Sequence, residues 1–516
     1  MKMTYSRKIY KGISGALRVG IVALLVFVQI LFLMILSMVV SEYSAFFYVL
    51  LEIFSFIVII FLTNDDKNES YKFAWVCIML MLPLSGHILY LLWGNRSGNS
   101  RELSSTLKMI RYGHKFAYYD KDAIDNFNEL KPELKKMSNY MSSEHFPLYQ
   151  NNNVKYYGMG EDLFEKMKED LSHAKKYIML SFFIVAEGQL WDEIHEILLD
   201  RIKNNVKVMF MYDDFGAAFR TNPQFKENLI NEGFDVEIFN PVHKYTGKLY
   251  MNYRSHQKIV VVDGEIGYTG GINIADEYAN YITRFGIWKD SGVRIEGDGV
   301  WGMVVTFLQM WDTCRGIRTQ DYNVYKSDRV FPENDVFTHL IYDGPANNPE
   351  NPIENIYRMM IDSSSKYCYI TTPYLIIGEN MQKCFDAAVK SGVDVKVITP
   401  GIADKKTVKL MTNYNYGPLL RSGVRIYEYQ PGFIHSKIIS NEQSTVVGSI
   451  NLDYRSFYLH YECGLWVSHD DVLQEIYKDF NETLKECKEI TYEEWKNRPV
   501  IIKIIQALIA PFQPMV

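Results

Sequence analysis

The sequence predicts an α/β protein made of two similar lobes that follow a set of N-terminal hydrophobic helices. Three observations support this prediction: a long uncharged apolar stretch near the N-terminus, alternating buried strands and amphipathic helices beyond it, and the return of the same order of elements later in the chain. Alternating strands and helices are typical of a sheet covered by helices. A chain of 516 residues is long enough for two or three domains.

Three apolar stretches at the N-terminus predict membrane helices. Residues 19–41 carry no charged side chain, and the stretches 43–63 and 73–93 follow. About 20 apolar residues cross a bilayer, which is more than the core of a signal peptide. The third stretch contains Pro83 and Gly86, so a re-entrant segment and a kinked span are both open.

Basic residues lie on both sides of this hydrophobic region. Cytoplasmic flanks of membrane helices are enriched in Lys and Arg. Two full spans with an interfacial or re-entrant third segment would place both basic clusters, and the rest of the chain, in the cytoplasm. We therefore predict a multi-pass protein of the cell membrane with a cytoplasmic main part. The basic residues are Lys2, Arg7, Lys8, Lys11 and Arg18 before the region, and Arg96, Arg101, Lys108, Arg111 and Lys115 after it.

The remaining chain contains an internal repeat, the feature that most strongly limits the choice of fold. In the first copy we predict strands at 177–185, 206–214 and 235–239, with helices at 189–204 and 224–232. In the second copy we predict strands at 367–376, 393–399 and 424–429, with helices at 379–391 and 405–421. The predicted division is a membrane anchor at 1–95, a linker at 96–150, lobes at 151–330 and 331–497, and an apolar tail at 498–516.

Each repeat is followed by the same polar motif. The first copy reads His256-x-Lys258, then Asp263, and later Gly270-Gly271-x-Asn273; the second reads His435-x-Lys437, then Glu442, and later Gly448-Ser449-x-Asn451. Side chains two residues apart on a strand share one face, so each histidine lies beside its lysine. A predicted hairpin, with its second strand at 266–269 or 445–447, brings the glycine and asparagine back beside them.

These residue types suit the chemistry of a phosphodiester. A neutral imidazole is a nucleophile near pH 7 and forms covalent intermediates. A second imidazole can protonate the alkoxide that leaves. Lysine and asparagine donors can hold the non-bridging oxygens as negative charge builds on them. Two copies of the motif therefore supply a nucleophile, an acid and a set of phosphate ligands.

The paired motifs resemble the signature of the phospholipase D superfamily. Their surroundings are similar to those of the cardiolipin synthases: Asn252-Tyr-Arg-Ser before His256, Trp288-Lys-Asp290 after it, and Asn451-Leu-Asp-Tyr-Arg-Ser456 before Glu462. The resemblance extends over nearly the whole chain, including the membrane stretches. It implies two phospholipase D-like lobes, each an α-β-α sandwich, that share one active site at their interface and need neither a metal nor an organic cofactor.

The resemblance also implies a role for each motif residue. It makes His256 the nucleophile and His435 the general acid and base, although the near-symmetry of the two copies leaves the reverse order open. Asp290 and Glu462 are expected to orient the histidines, unless they face solvent. The catalytic set is then His256, Lys258, Asp263, His435, Lys437 and Glu442, and the phosphate ligands are Asn273, Ser449 and Asn451.

The two copies differ at three places. Glu442 stands where the motif has aspartate, and the interval from histidine to glycine is one residue shorter in the second copy, which predicts a tighter turn. Ser449 has a hydroxyl that could contact phosphate, whereas its counterpart Gly271 has none. Asp263, at the end of the first motif, is better placed to cap a turn than to touch phosphate. His435, Lys437 and Asn451 are intact, so we expect activity.

The expected reaction moves a phosphatidyl group from one phosphatidylglycerol to another through a phosphohistidine, which gives cardiolipin and glycerol. Hydrolysis, or transfer to another acceptor such as phosphatidylethanolamine, uses the same motif and stays open. A nuclease of the superfamily and a non-catalytic membrane scaffold are open as well. A formal net charge of -6 disfavours nucleic acid as a partner, because phosphate binding calls for basic surfaces. The sequence does not indicate an oligomeric state.

Two further segments have two interpretations each. The segment 400–405 either lines the pocket for the acceptor or forms an ordinary loop between a strand and a helix, with Asp404 near the helix start. The apolar stretch 499–511 is too short to span a bilayer, so it either lies in the membrane interface or docks on the protein. The six cysteines form no C-x-x-C pair, which favours free thiols.

Overall fold

The computed structural model describes residues 44–64, 68–82, 85–94, 100–241, 253–347 and 350–515, together with positions 24, 27, 28 and 31. The chain divides into two compact units. The smaller unit comprises residues 1–102, 241–252 and 507–516, and the larger unit comprises residues 103–240 and 253–506.

The smaller unit is helical in its described part. Its helices are Ser44–Thr63, Glu69–Met81 and Ser85–Leu89, followed by a π-helical turn at Tyr90–Gly94. The second predicted apolar stretch is therefore one helix. The third stretch is interrupted: one helix ends at Met81 and the next begins at Ser85, with Pro83 between them in the sequence. Proline lacks the amide hydrogen that a continuous helix needs.

The predicted membrane spans are not confirmed by these helices. Within the residues that the structure describes, no helix combines the length and the hydropathy needed to cross a bilayer. The first predicted span, at 19–41, lies outside the described residues except for four isolated positions.

The larger unit contains two sheets, and the first has the strand order β1-β9-β7-β6-β2-β3-β4. Strands β2, β3 and β4 run parallel, and the others pair antiparallel. The first of the parallel strands is buried along its whole length, which is why its sequence is a continuous apolar run. The strands are β1 Asn152–Tyr157, β2 Tyr177–Phe182, β3 Lys207–Asp213, β4 Asp235–Phe239, β5 Arg254–Ser255, β6 Ile259–Val262, β7 Ile266–Gly270, β8 Ile287–Lys289 and β9 Gly292–Gly297.

The second sheet repeats this arrangement, with the order β10-β19-β17-β16-β11-β13-β14-β20. Strand by strand, β11, β13 and β14 correspond to β2, β3 and β4, and the antiparallel hairpin β16-β17 corresponds to β6-β7. The predicted duplication of an α/β lobe is confirmed. The strands are β10 Phe337–Asp343, β11 Tyr367–Thr371, β12 Leu375–Ile376, β13 Asp394–Pro400, β14 Arg425–Tyr429, β15 Gly432–Ile434, β16 Ile438–Asn441, β17 Thr445–Gly448, β18 Leu452–Asp453, β19 His460–Ser468 and β20 Cys487–Ile490.

A helix at Val300–Arg315, which the sequence analysis did not predict, lies against both sheets. Every residue from Val300 to Asp312 is buried, and the helix contacts β6 and β4 of the first lobe and β10 of the second. A helix buried on all sides is apolar all round, so it shows little amphipathic periodicity. The other helices of the lobes are Gly160–Ser172, Gln189–Lys203, Asp214–Ala217, Phe225–Asn231, Pro352–Ser363, Glu379–Lys390, Lys406–Ser422, Tyr454–Tyr458, Asp470–Lys485, Tyr492–Lys496 and Val500–Ile509.

The segment predicted as a linker is folded into the larger unit from residue 103 onward. It forms the helices Ser100–Gly113, Lys121–Leu130 and Lys135–Ser143. Phe127 is fully buried, and its ring meets Phe337 and Trp466 at centroid distances of 5.0 and 6.1 Å. This range is therefore part of the core rather than a free connection, because its helices bury apolar faces against the second sheet.

Candidate active site

Each motif histidine follows a short strand that pairs with the opposite lobe. Strand β5 runs parallel to the start of β19, and the backbone N–H of His256 donates to the carbonyl of Tyr461 at 2.8 Å. Strand β15 runs parallel to β8, and the N–H of His435 donates to the carbonyl of Lys289 at 2.7 Å. These two crossings hold the motifs together at the junction of the lobes.

The carboxylates that orient the histidines are exchanged between the lobes. Nδ1 of His256 in the first lobe lies 2.9 Å from Oε2 of Glu462 in the second. Nδ1 of His435 in the second lobe lies 2.6 Å from Oδ2 of Asp290 in the first. Both carboxylates are fully buried. Because each Nδ1 is bound to a carboxylate, the Nε2 atom of each ring is left for chemistry.

The two motif lysines are buried beside their histidines. Nζ of Lys258 donates to the carbonyl of His256 at 2.5 Å, and Nζ of Lys437 lies 2.9 Å from Nδ1 of His435. Burial lowers the pKa of Lys258 to about 7 and that of Lys437 to about 8. A phosphate between these lysines would favour their charged forms.

The lysine of each motif affects the pKa of the histidine in the other motif. Burial lowers the pKa of His256 well below its usual value, and the charges of Lys258 and Lys437 lower it further. Burial, Lys437 and Lys258 do the same to the pKa of His435. Each imidazole therefore responds to the lysine of the other motif, and each is neutral at pH 7 without a bound anion.

The two motif asparagines are buried in the site. Oδ1 of Asn273 accepts from the N–H of Ile184, and its Nδ2 donates to Tyr278, both at 2.9 Å. Oδ1 of Asn451 is buried and has no hydrogen-bond partner among the described residues. A buried polar atom left without a partner is costly, and an amide that turns its NH₂ toward a phosphate oxygen would relieve this cost.

The structure places Ser449 on a carboxylate rather than at an open phosphate position. Its hydroxyl donates to Glu462 and accepts from the N–H of Cys463 at 3.0 Å. The hydroxyl of Ser456 donates to Oε1 of the same glutamate at 2.7 Å. Ser449 was expected as a phosphate ligand, but its contacts make it a residue that positions Glu462.

The acids at the ends of the motifs lie away from the histidines. The carboxylate of Asp263 accepts the backbone N–H groups of Lys175, Lys176 and Tyr177, at 2.7 to 2.9 Å. Glu442 has the equivalent position in the second lobe, where it accepts from the N–H of Ser365 at 2.8 Å. The contacts of Asp263 agree with the expectation that it caps a turn rather than touching phosphate, and the contacts of Glu442 are equivalent; both acids connect the residues before a central strand to the hairpin, which disagrees with their grouping among the catalytic residues.

The asymmetry between Gly271 and Ser449 has a steric reason. A Cβ atom on Gly271 would lie 2.0 Å from Oδ1 of Asp290 and 2.9 Å from the carbonyl oxygen of His435. The backbone of Gly271 must approach the Asp290–His435 pair this closely, and no side chain fits.

Several site residues were not assigned by sequence reasoning. The ring of Phe183 packs on His256 at a centroid distance of 5.1 Å, and Tyr278 and Trp288 each pack on His435 at 5.3 Å. His460 lies 5.4 Å from the ring of His256. The signal for His460 was its spacing of two residues from Glu462 on a strand, which places both on one face.

Three side chains in the site have the composition of a metal-binding group. The ligand atoms of His256, His460 and Glu462 lie within 4.8 Å of one another. Two imidazoles and a carboxylate are a common ligand set for zinc. In this structure Nδ1 of His256 is already bound to Glu462, and Nδ1 of His460 lies 3.7 Å from that carboxylate.

The chain matches two families along its length. Residues 167–283 and 357–484 match the family described as "Cardiolipin synthase, PLD-like domain". Residues 51–95 match the family described as "Phospholipase D-nuclease N-terminal". The first family covers both lobes, and each of its two matched segments contains one of the paired histidines.

Curated relatives match along nearly their whole length. Cardiolipin synthase 1 of Staphylococcus aureus is 31% identical over 473 residues, which cover 89% of this chain and 94% of the relative. The cardiolipin synthase of Oceanobacillus iheyensis is 31% identical over 466 residues, which cover 88% and 95%. The major cardiolipin synthase ClsA of Bacillus subtilis is 29% identical over 486 residues, which cover 90% and 97%.

A solved structure supports the fold independently. The crystal structure of phosphatidylserine synthase from Haemophilus influenzae superposes with a TM-score of 0.57 at 14% identity, covering 74% of this chain and 100% of that one. At this identity the similarity concerns the fold. With its two family matches and its full-length relatives, the chain belongs to the cardiolipin synthase family, the phosphatidyltransferases of the phospholipase D superfamily.

Proposed function

We propose that the protein forms cardiolipin by transferring the phosphatidyl group of one phosphatidylglycerol to the headgroup of another. The observation that carries the proposal is the exchange of carboxylates, Glu462 to His256 and Asp290 to His435. With Nδ1 of each ring bound to a carboxylate, we infer that the two Nε2 atoms face a single phosphate between the lobes, where Lys258 and Lys437 are also buried. A phosphodiester there has a nucleophile on one side and an acid on the other.

In the first half-reaction Nε2 of His256 attacks phosphorus. The P–N bond forms as the P–O bond to glycerol breaks, and His435 gives its proton to the glycerol oxygen. The bound phosphodiester is an anion, so it raises the proton affinity of His435 on binding. The two lysines and the asparagine amides hold the non-bridging oxygens while charge builds on them.

In the second half-reaction His435, now neutral, takes the proton from a headgroup hydroxyl of the acceptor. The alkoxide attacks phosphorus, the P–N bond breaks, and His256 is released. One phosphodiester is exchanged for another, so the reaction is close to thermoneutral. Water at the acceptor position would give phosphatidic acid, so the site must favour a lipid alcohol by positioning it.

The surroundings of the two carboxylates support His256 as the nucleophile. Glu462 accepts hydrogen bonds from the hydroxyls of Ser449 and Ser456 as well as contacting His256, so it is held in place beside the proposed phosphohistidine. Burial raises the pKa of Asp290 to about 7. A carboxylate with that pKa suits a histidine that gains and loses a proton in each cycle.

The N-terminal segments are proposed as the membrane anchor, in keeping with the lipid substrates. Residues 19–41 are uncharged, and the helix Ser44–Thr63 exposes many apolar side chains. The basic residues on both sides of this region support a cytoplasmic position for the lobes. The helix Val500–Ile509 exposes Val500, Ile501, Ile504 and Leu508, which supports a place in the membrane interface.

The proposal is tested with the purified full-length chain in detergent micelles that contain phosphatidylglycerol labelled in its acyl chains and in its headgroup. Wild-type protein should give cardiolipin and free glycerol in equal amounts. His256→Ala and His435→Ala should each reduce both products by at least about 1,000-fold, because either change removes a partner of the same step. Phosphatidic acid as the main wild-type product would overturn the proposal in favour of hydrolysis. His173→Ala, at an exposed helix end, serves as the control.

A further inference from the structure

The acceptor lipid brings a second negative charge into the site. The inference rests on the function proposed above. In that reaction the acceptor hydroxyl must approach phosphorus opposite the nitrogen of His256, because the displacement proceeds in line. It therefore enters beside His435. The phosphodiester of the acceptor lies one glycerol unit away, so a cation on the His435 side would stabilise its binding.

A polar cluster lies at this edge of the second sheet. Oγ1 of Thr371, at the end of β11, donates to Oγ of Ser436 at 3.0 Å, which places the end of that strand beside His435. Three residues later, the hydroxyl of Tyr374 donates to Oδ2 of Asp404 at 2.6 Å. Asp404 belongs to the loop that follows β13, so this loop lies at the same edge as the histidine.

Lys405 is held in this cluster by two contacts. Its Nζ donates to the Tyr374 hydroxyl at 3.1 Å and lies 3.3 Å from Oδ2 of Asp404. The ammonium also lies 5.0 Å from the centroid of the Tyr374 ring. Tyr374 packs against the apolar cluster that contains Tyr278 and Trp288, the two rings that flank His435.

The charges of this cluster reach the catalytic groups. Asp404 raises and Lys405 lowers the pKa of His435, although burial is the largest influence on it. Asp404 also raises the pKa of Lys437 against the effect of burial. Asp404 and Lys405 are therefore within electrostatic range of His435, in keeping with their place at the same edge of the sheet.

Two other lysines near this edge, Lys289 and Lys409, are largely buried in ion pairs. Lys289 is bound to Asp479 at 2.8 Å with 9% of its side chain exposed, and Lys409 is bound to Glu428 at 2.6 Å with 17% exposed. The side chain of Lys405 is 61% exposed, and the carboxylate beside it is shared with Tyr374. All three lysines have a carboxylate partner, but Lys405 has by far the most exposed side chain, so it is the most accessible of the three to an incoming ligand.

We propose that Lys405, positioned by Tyr374 and Asp404, binds the phosphodiester anion of the acceptor lipid. It thereby selects a phospholipid alcohol over a neutral alcohol such as free glycerol. The donor lipid does not need this contact, because its own phosphate lies between the two histidines. Lys405 is then a determinant of acceptor affinity rather than of phosphohistidine formation.

The test compares an anionic with a neutral acceptor in the same micelles. Cardiolipin formation uses phosphatidylglycerol as acceptor, and the incorporation of labelled glycerol into phosphatidylglycerol uses a neutral one. Lys405→Ala should raise the KM for acceptor phosphatidylglycerol, so that cardiolipin formation at low lipid falls about tenfold more than glycerol exchange. Lys405→Arg should restore most of the ratio, because it keeps the charge. Lys406→Ala, at the exposed neighbouring position, should leave the ratio at the wild-type value.

The outcomes separate this inference from the proposed function. An equal loss of both activities in Lys405→Ala, or no change in their ratio, would overturn the role of Lys405 while leaving cardiolipin synthesis intact. A wild-type chain that exchanges glycerol but forms no cardiolipin would overturn both.

Discussion

His256 and Glu462 lie 206 positions apart in the sequence, and Nδ1 of the histidine meets Oε2 of the glutamate at 2.9 Å. The same exchange in the opposite direction joins His435 to Asp290. Each motif histidine therefore takes its carboxylate from the other lobe. The candidate active site is therefore complete only when both lobes are folded and docked.

Loss of the Glu462–His256 contact and loss of the Asp290–His435 contact should impair different steps of the reaction. Glu462→Gln and Asp290→Asn should each lower kcat with phosphatidylglycerol by about 100-fold or more, since an amide cannot stabilise the charged imidazole. A phosphatidyl donor with a p-nitrophenol leaving group needs no general acid. With it, Asp290→Asn should release a burst of p-nitrophenol and accumulate phosphohistidine, whereas Glu462→Gln should show no burst. The opposite pattern would assign the nucleophile to His435.

The sequence predicted those features of the site that depend on residues close together in the chain. The internal repeat predicted the two lobes, and the motif spacing predicted that each lysine lies beside its histidine, although both H-x-K segments lie just before the strands Ile259–Val262 and Ile438–Asn441 rather than within them. The crossed partnership of Asp290 and Glu462 was not visible, because it depends on how two lobes dock. A local pattern reports which residues share a face, and it does not report which side chain from another lobe faces them.

The errors have a similar physical origin. Ser449 was expected at phosphate because a hydroxyl suits that role, yet a buried carboxylate nearby competes for the same donor. Asp263 was grouped with the catalytic residues as part of the motif but was also expected to cap a turn, and the second expectation fits its place: a strand rises about 3.3 Å per residue, so Asp263 lies roughly 16 Å along the chain from Lys258. The segment predicted as a linker contains apolar residues such as Phe127 at helical spacing. It lies outside the internal repeat, so its place in the core was not predicted.

The lysines predict an alkaline limit to activity. In the proposed mechanism Lys258 and Lys437 bind phosphate in their charged forms, and burial is the main cause that lowers their pKa values to about 7 and about 8. As pH rises through this range the free enzyme loses these charges, so kcat/KM should fall. Bound phosphate raises both pKa values, so the fall in kcat should begin at a higher pH. Initial rates from about pH 6 to 10 test this, and a kcat/KM that stays constant to about pH 9.5 would contradict it.

Asp263 should matter for stability more than for catalysis. Asp263→Ala leaves the N–H groups of Lys175, Lys176 and Tyr177, at the entry to β2, without their acceptor, which should lower the free energy of unfolding by about 1–3 kcal/mol. The kcat should change by less than about threefold. Urea unfolding in detergent and initial rates measure the two effects. Glu442→Ala is the matched variant in the second lobe, and a large loss of kcat with unchanged stability in either variant would return these acids to the catalytic set.

Zn²⁺ should inhibit the enzyme by coordinating His256, the proposed nucleophile. The ligand atoms of His256, His460 and Glu462 lie within 4.8 Å of one another, so a zinc ion bound there would hold His256 away from phosphorus. Added Zn²⁺ should inhibit reversibly, and EDTA should restore the rate. His460→Ala should raise the inhibitory concentration about tenfold or more, whereas His195→Ala should not. Loss of activity on treatment with EDTA alone would contradict the metal-free mechanism.

Gly271 should not tolerate even the smallest side chain. In Gly271→Ala the new methyl group would lie 2.0 Å from Oδ1 of Asp290, so the carboxylate must move and its 2.6 Å contact with His435 is disturbed. We expect kcat to fall by about 100-fold, and the p-nitrophenol burst with the activated donor to survive, because that donor bypasses His435. Gly378→Ala is the control, since no atom of the described residues lies within 4 Å of the added carbon there. Wild-type kcat in Gly271→Ala would show that the Asp290–His435 contact can shift without consequence, and that the second lobe's histidine does not depend on its carboxylate.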